Sequence, residues 1–269
     1  MPCLSGELSG RRWGNRVRHR NELIMITKLY EAKNHVLIHA GYDNPVMHRH
    51  MAAHIIISAN GKMCVTSGEA EYLCHGVMIP SGASHKIDTC GSAVLVFLYD
   101  CTTNIAKQIR TIRCIPEEYC RKIMASYTSL EQAYTTDNYC RFEKLVMKEL
   151  GFTDCISFVN DERIVSAMKY IRSACFENLS CNMVADAVHL SQSRFSHLFR
   201  EQVGMTFSAY LIYQRIMHVY TQLLQGKTIT DAALEAGFSS SAHFADVNRR
   251  IFGLSASTIT HDLIFTKVD

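Results

Sequence analysis

No two of the chain's eleven cysteines, scattered from Cys3 to Cys181, have C-x-x-C spacing. That excludes a zinc ribbon, and the odd number argues against a disulfide framework. Small buried thiols in a reducing cytoplasm are the expectation instead, with redox sensing by one of them a lesser alternative. No apolar run approaches the roughly 20 residues of a membrane span, so no membrane partner is expected. The basic opening stretch has only Leu23-Ile24-Met25-Ile26 behind it, too short for the core of a secretory signal. Charge of one sign is also lacking, since 28 Lys and Arg against 25 Asp and Glu leave a net +3. From Asp161 onward ten basic side chains face ten acidic ones. Any binding of nucleic acid there depends on how charge is arranged, not on an excess. With 48% hydrophobic and 20% charged residues, nothing marks general disorder, and 269 residues suit two domains with a core each.

What the sequence does contain is a stretch written twice. At an offset of 49 residues Phe195 falls on Phe244, Leu198 on Val247, Arg200 on Arg249 and Gly204 on Gly253. Before each run lies an Ala-rich segment, Val184-Ala185-Asp186-Ala187 and Ala232-Ala233-Leu234-Glu235, then a turn and a Ser-rich start. The second turn is one residue longer. A repeat of this size is one supersecondary unit used twice. Ser180 and Thr230 are the expected N-caps of two short helices. Ser191 opens the next helix of the first copy, with Phe195, Leu198 and Phe199 as its buried stripe. Its opposite face, Gln192, Ser193, Ser196, His197 and Arg200, is polar and short. Gly237 suits the positive φ of the second turn. A short helix, a tight turn and a second helix with a polar face make a helix-turn-helix, whose second helix enters the major groove. The helical pattern Phe207–Gln225 joins the copies. At about 1.5 Å per residue it holds the reading helices near the ~34 Å that separates successive major-groove faces.

The run from Leu190 to Gly204, and the run from Ile229 to Gly253 with Ala236-Gly237-Phe238-Ser239-Ser240-Ser241-Ala242-His243-Phe244, resemble the two halves of the AraC/XylS family of bacterial transcription regulators. The likeness covers about the last 105 residues. It implies base-reading positions at Ser193, Ser196 and His197 beside Gln192, and a phosphate position at Arg200. In the second helix it implies DNA-facing positions at Ser241, His243, Asp246 and Arg249. The chain departs from the family in several places. Asn248 stands where an aromatic is usual, Asp246 where a donor is usual, and Ala256 and Ile259 replace Pro and Tyr in the tail motif. Phe207 stands where Pro is common.

Upstream, residues 1–25 read as a basic flexible arm, and Met25 is an alternative start. From His35 the pattern is β-like: His35–His39, His54–Ser58, Met63–Thr66, Tyr72–His75, His85–Asp88 and Ala93–Tyr99, with a hairpin signal at Asn60-Gly61. Inside it, Gly41-(x6)-His48-Arg49-His50-(x3)-His54-(x6)-Gly61 and Gly76-(x3)-Pro80-Ser81-Gly82-(x2)-His85 resemble the two motifs of the cupin barrel. Strand alternation puts His48 and His50 on one face. The resemblance implies that His48, His50, His54 and His85 line an effector pocket or, alternatively, hold a divalent metal. His54 stands where cupin enzymes carry Glu. No other cofactor and no catalytic residue is expected.

Residues 101–152 read as helical, from Ile105, Ile109, Ile112 and Ile115 and from Glu143, Leu145, Val146, Met147 and Leu150. They form a dimerisation or packing segment that Gly151 ends. Residues 153–160 are a linker, and Asp161 caps a helix Arg163–Cys175. The expected fold is α+β in two domains. Residues 26–100 form a cupin-like antiparallel β-barrel with flanking helices, and residues 161–269 form an all-α double helix-turn-helix. The function this implies is a sequence-specific, DNA-binding transcription regulator that senses a small ligand and dimerises, with promoter DNA and RNA polymerase as partners. The alternatives are a metal-dependent cupin enzyme with an appended helical domain, and a regulator with weakened DNA binding that acts through protein contacts.

Overall fold

The computed structural model describes residues 27–32, 35–41, 46–49, 51–152, 159–174, 176, 179–252 and 263–268. The expected arm 1–25, His50, most of the linker 153–160, and the tail positions Ala256 and Ile259 lie outside the described residues.

Nine strands come first: β1 (Thr27–Glu31), β2 (His35–Gly41), β3 (His48–Arg49), β4 (Ala53–Ser58), β5 (Met63–Ser67), β6 (Ala70–Cys74), β7 (Gly76–Ile79), β8 (Ser84–Asp88) and β9 (Ala93–Tyr99). They are followed by α1 (Asn104–Gln108), β10 (Arg113–Ile115), α2 (Glu117–Gln132) and α3 (Thr136–Leu150). The helical module is α4 (Glu162–Ser173), α5 (Cys181–Ala187), α6 (Gln192–Val203), α7 (Phe207–Leu224), α8 (Ile229–Glu235) and α9 (Ser241–Phe252), and a last strand β11 (Leu263–Lys267) follows.

The strands form two sheets rather than one closed barrel. One has the order β10-β7-β4-β9-β2-β1-β11, the other β3-β8-β5-β6. Central strands covered on both faces read as unbroken apolar runs, as His54-Ile55-Ile56-Ile57 and Ala93–Tyr99 do. Alternation then sorts their side chains. Ile55, Ile57, Leu95, Phe97 and Tyr99 meet Ile123, Tyr127, Phe142 and Val146 of α2 and α3. Ile56, Val94, Val96 and Leu98 point the other way and meet Met63, Val65 and Ile87 of the second sheet.

Two expectations are corrected here. The isoleucines from Ile105 to Ile115 are not one helix: α1 ends at Gln108, and Ile115 is buried on β10, which pairs with β7. Spaced apolar residues from separate elements imitate a helical period when each is buried in its own way. The N-cap of α8 is Thr228, whose hydroxyl accepts from Asp231 N–H at 3.1 Å, and Thr230 lies inside the helix. The other caps are as the sequence suggests. Ser180, Ser191 and Asp161 accept from the first turns of α5, α6 and α4, and Gly151 ends α3 at φ +75°.

Residues 263–267, placed by sequence in the helical module, return to the N-terminal sheet, where they pair in parallel with β1 from Thr27↔Leu263 to Glu31↔Lys267. Val268 N–H donates to Glu31 C=O at 2.8 Å to close the pairing.

Candidate nucleic-acid interface and histidine cluster

Helix α7 is the spine of the helical module. Its first half, Phe207, Tyr210 and Leu211, packs with α4, Val184 and Ala185 of α5, and Phe195, Leu198 and Phe199 of α6. Its second half, Ile216, Val219 and Tyr220, packs with Ala232 and Ala233 of α8 and Phe244 and Val247 of α9. At 18 residues it is about 27 Å long. Arg215 bridges the units by donating to Phe176 C=O at 2.8 Å and Gly237 C=O at 3.2 Å. Both turns need a left-handed residue. The first uses His189 at φ +56° and the second Gly237 at φ +79°, where a Cβ would come within 2.8 Å of Phe176 O.

Folding α6 onto Phe195, Leu198, Phe199 and Val203 leaves Gln192, Ser193, Arg194, His197 and Arg200 exposed along one side. His197 Nδ1 lies 3.9 Å from Glu201 in an exposed pair that costs little to break. Ser196 is half-buried, with its hydroxyl 3.4 Å from Cys181 Sγ at the start of α5. It therefore faces the first helix more than the open side. Arg194 was not singled out by sequence, although it stands three residues before His197 on the same side of the helix.

On α9, Ala242, His243, Asp246, Arg249 and Arg250 are exposed and Ser241 is half-buried. His243 Nδ1 accepts from Ser239 N–H at 3.3 Å, which holds the ring over its own turn. Asp246 lies 3.5 Å from Arg250, so its charge is partly offset from within the helix. The departure at Asn248 also has a structural account. This side chain is fully buried and accepts from Tyr220 OH at 2.8 Å, a polar tie between α7 and α9.

The other expected site draws on both sheets. His48 and His85 face each other across β3 and β8, with ring centroids 4.6 Å apart, and His54 of β4 lies 5.3 Å from His85. His48 Nδ1 is 2.6 Å from Val46 C=O and His85 Nδ1 is 2.9 Å from Ala83 C=O. A carbonyl partner requires the proton on Nδ1 and leaves Nε2 as the acceptor. Burial holds all three rings toward the neutral form: His48 is lowered, His54 lies well below its ordinary value, and His85 is pushed down to about 4. Among the described residues no group of three His, Cys, Asp or Glu side chains is arranged to hold a metal ion. The structure thus brings His48, His54 and His85 together, and His50 lies outside the described residues. Helix α9 runs against β3, beside this cluster.

Comparison with known proteins bears on both regions. Residues 184–261 match the family described as a helix-turn-helix domain. The segment is a helix-turn-helix domain. Over 90 residues it is 38% identical to an uncharacterized HTH-type transcriptional regulator of Staphylococcus aureus and 31% identical to the virulence regulon transcriptional activator VirF of Yersinia enterocolitica. Each match covers 33% of this chain, and the matched stretch spans 12% of the staphylococcal protein and 33% of VirF. Over nearly the whole chain the fold is similar to that of ToxT from Vibrio cholerae. An apo variant superposes with a TM-score of 0.61 at 12% identity, over 87% of this chain and 100% of ToxT. ToxT with an unsaturated fatty acid bound gives 0.56 at 11% identity, over 85% and 95%. A two-sheet domain followed by a helical module is therefore a fold that this chain shares with ToxT.

Proposed function

We propose that the protein is a sequence-specific DNA-binding transcription regulator whose N-terminal domain senses a small molecule. One observation carries this: two reading helices, each with its polar face exposed, sit at the two ends of one α7 spine. Gln192, Ser193, His197 and Arg200 on α6, with Arg194 added, would meet bases and phosphates. Ser241, His243 and Arg249 on α9 would do the same one groove further on. Side chains of this kind read base edges through bidentate or single hydrogen bonds, while the arginines set register on the backbone. The likeness to VirF, a transcriptional activator, supports the DNA-binding half, and the fatty acid bound to ToxT supports the sensing half. Selection of bound fragments from genomic DNA by the full-length chain tests the proposal. A recurrent motif is the expected result, and fragments without one would overturn it.

A homodimer that engages RNA polymerase extends the same reading. The outward side of α2 and α3 is polar, with Arg121, Thr128, Arg141 and Lys144 exposed, so self-association there would be salt-sensitive. Sedimentation at two ionic strengths tests it.

A divalent metal at the histidines is the second reading, favoured by the carbonyl-anchored Nδ1 atoms of His48 and His85. Metal-ligating imidazoles are commonly oriented that way. His50 would have to complete the set. Elemental analysis of protein purified without added metal decides it.

A further inference from the structure

Strand β10 is an edge of one sheet and β6 an edge of the other, and the two edges lie against each other. Each of these strands carries a cysteine. Cys74 ends β6 and is buried in the apolar layer between the sheets, whereas Cys114 is the middle residue of β10 and is exposed. The register decides which way Cys114 points. It is the cross-strand partner of Val77 on β7, whose side chain lies in that same inner layer. Paired residues share a face of their sheet, so the Cys114 thiol stands on the side that Cys74 occupies. Ile115, the next residue, and Cys120 of α2 belong to the opposite face. There Cys120 Sγ sits so close to Gly76 that a Cβ on that glycine would come within 2.6 Å of it. The Cys74 and Cys114 side chains interact directly, and burial together with that contact pushes the Cys74 thiol up to about 12.

We infer that Cys74 and Cys114 form a reversible modification site, a dithiol that hydrogen peroxide converts to a disulfide joining the two sheets. The thiolate is the nucleophile in such chemistry. Exposed Cys114 meets the oxidant first, because Cys74 is buried and held protonated. The Cys114 thiolate sulfur attacks one peroxide oxygen, the O–O bond breaks, and the departing hydroxide is protonated to water. Cys114 is then a sulfenic acid, which condenses with a neighbouring thiol. The Cys74 thiol gives up its proton as its sulfur attacks the Cys114 sulfur. The S–O bond breaks, and the hydroxide takes that proton and leaves as a second water. Two thiols have lost two electrons, and one peroxide has become two waters.

Cys74 is already beside Cys114 and screened from solvent, so the internal bridge has the advantage of proximity over bonds to outside thiols. It would close about 40 residues of chain into a loop and staple two edge strands from different sheets. Closing a loop of that length restricts the unfolded chain and favours the folded one. Cys74 also shares its apolar cluster with Phe238, Phe244 and Val247, so the staple would stiffen the part of the N-terminal domain that is continuous with α9. The site goes beyond the proposed function, and its chemistry does not depend on DNA binding.

The test is peptide mapping by mass spectrometry of the full-length protein, fully reduced, exposed to graded hydrogen peroxide and then alkylated. The expected product is a Cys74–Cys114 linked peptide that dithiothreitol removes. While the bridge is present the thermal midpoint should rise by on the order of 5–10 °C. Cys114→Ser, at an exposed position, should abolish both the link and the rise. Cys74→Ala should leave Cys114 at the sulfenic acid, trapped as its dimedone adduct. No Cys74–Cys114 link at any peroxide concentration, a bridge from Cys114 to Cys120 in its place, or a rise that persists in the Cys114→Ser protein would each overturn the inference. Should Cys74→Ala fail to fold, the wild-type map and the Cys114→Ser protein decide between these outcomes on their own.

Discussion

The two helix-turn-helix units share a plan and differ in what they are fastened to. The first closes its own core with α4, through Ile164, Ile171, Phe195, Phe199 and Tyr210. In the second, Phe238, Phe244 and Val247 belong to one contiguous apolar cluster with the inner faces of both sheets, and α9 lies against β3. One copy packs chiefly on its own helices, whereas the other is continuous with the N-terminal sheets. The duplicated unit is thus anchored in two ways.

The strongest way to break this contrast is to empty each core in turn. Phe195→Ala removes a fully buried ring and should cost about 3–5 kcal/mol, with the loss confined to the helical module in hydrogen exchange. Phe244→Ala should cost as much but also lower protection in β4 and β9. Equal and local effects from both would erase the distinction.

Acid should act unequally too. His35 and His85 are both pushed down to about 4 by burial, against an ordinary value of 6.5. Their folded state binds fewer protons than the unfolded state between those values. The stability they lend is therefore complete above pH 6.5 and is lost as pH falls toward 4, by up to about 3 kcal/mol per ring on the 1.36 kcal/mol per unit scale. Denaturation followed across that window should show the N-terminal domain and the second unit weakening before the first. A pH-independent midpoint would contradict it.

Smaller effects sharpen the picture at the DNA. His197→Ala and Ser193→Ala should each cost about 1–3 kcal/mol against the selected site while leaving other sequences unchanged. Arg200→Ala should weaken all sequences alike and flatten the salt dependence. Binding isotherms at several salt concentrations separate the two. The least effect is expected at Asp246, already offset by Arg250. Asp246→Arg should tighten binding by less than about 1 kcal/mol if α9 approaches phosphate, and no change would place that helix off the duplex.

The sequence made the helical module legible because its signals are local: hydroxyl caps, Gly204 and Gly237 in turns, and a stripe at Phe195, Leu198 and Phe199. Most strands were legible for the same reason, from alternation and from Asn60-Gly61. What it hid were long-range choices. β11 pairs with β1 across more than 230 residues, and no short-range pattern marks that partnership. Ile115 imitated a helical position from a strand, and Asn248 looked like a lost aromatic until Tyr220 was seen to bond it. The clustering of His48, His54 and His85 was legible only through resemblance, since their strands lie in two different sheets.

Hydroxyl-radical footprinting of the full-length chain on its selected site tests the central claim most directly. Two protected segments about one helical turn apart on one face of the duplex are predicted by the proposal that α6 and α9, packed on the two halves of α7, read neighbouring major grooves. A single protected segment, unaffected by changes at Ser241, His243 or Arg249, would show that only α6 reads DNA and would contradict the account.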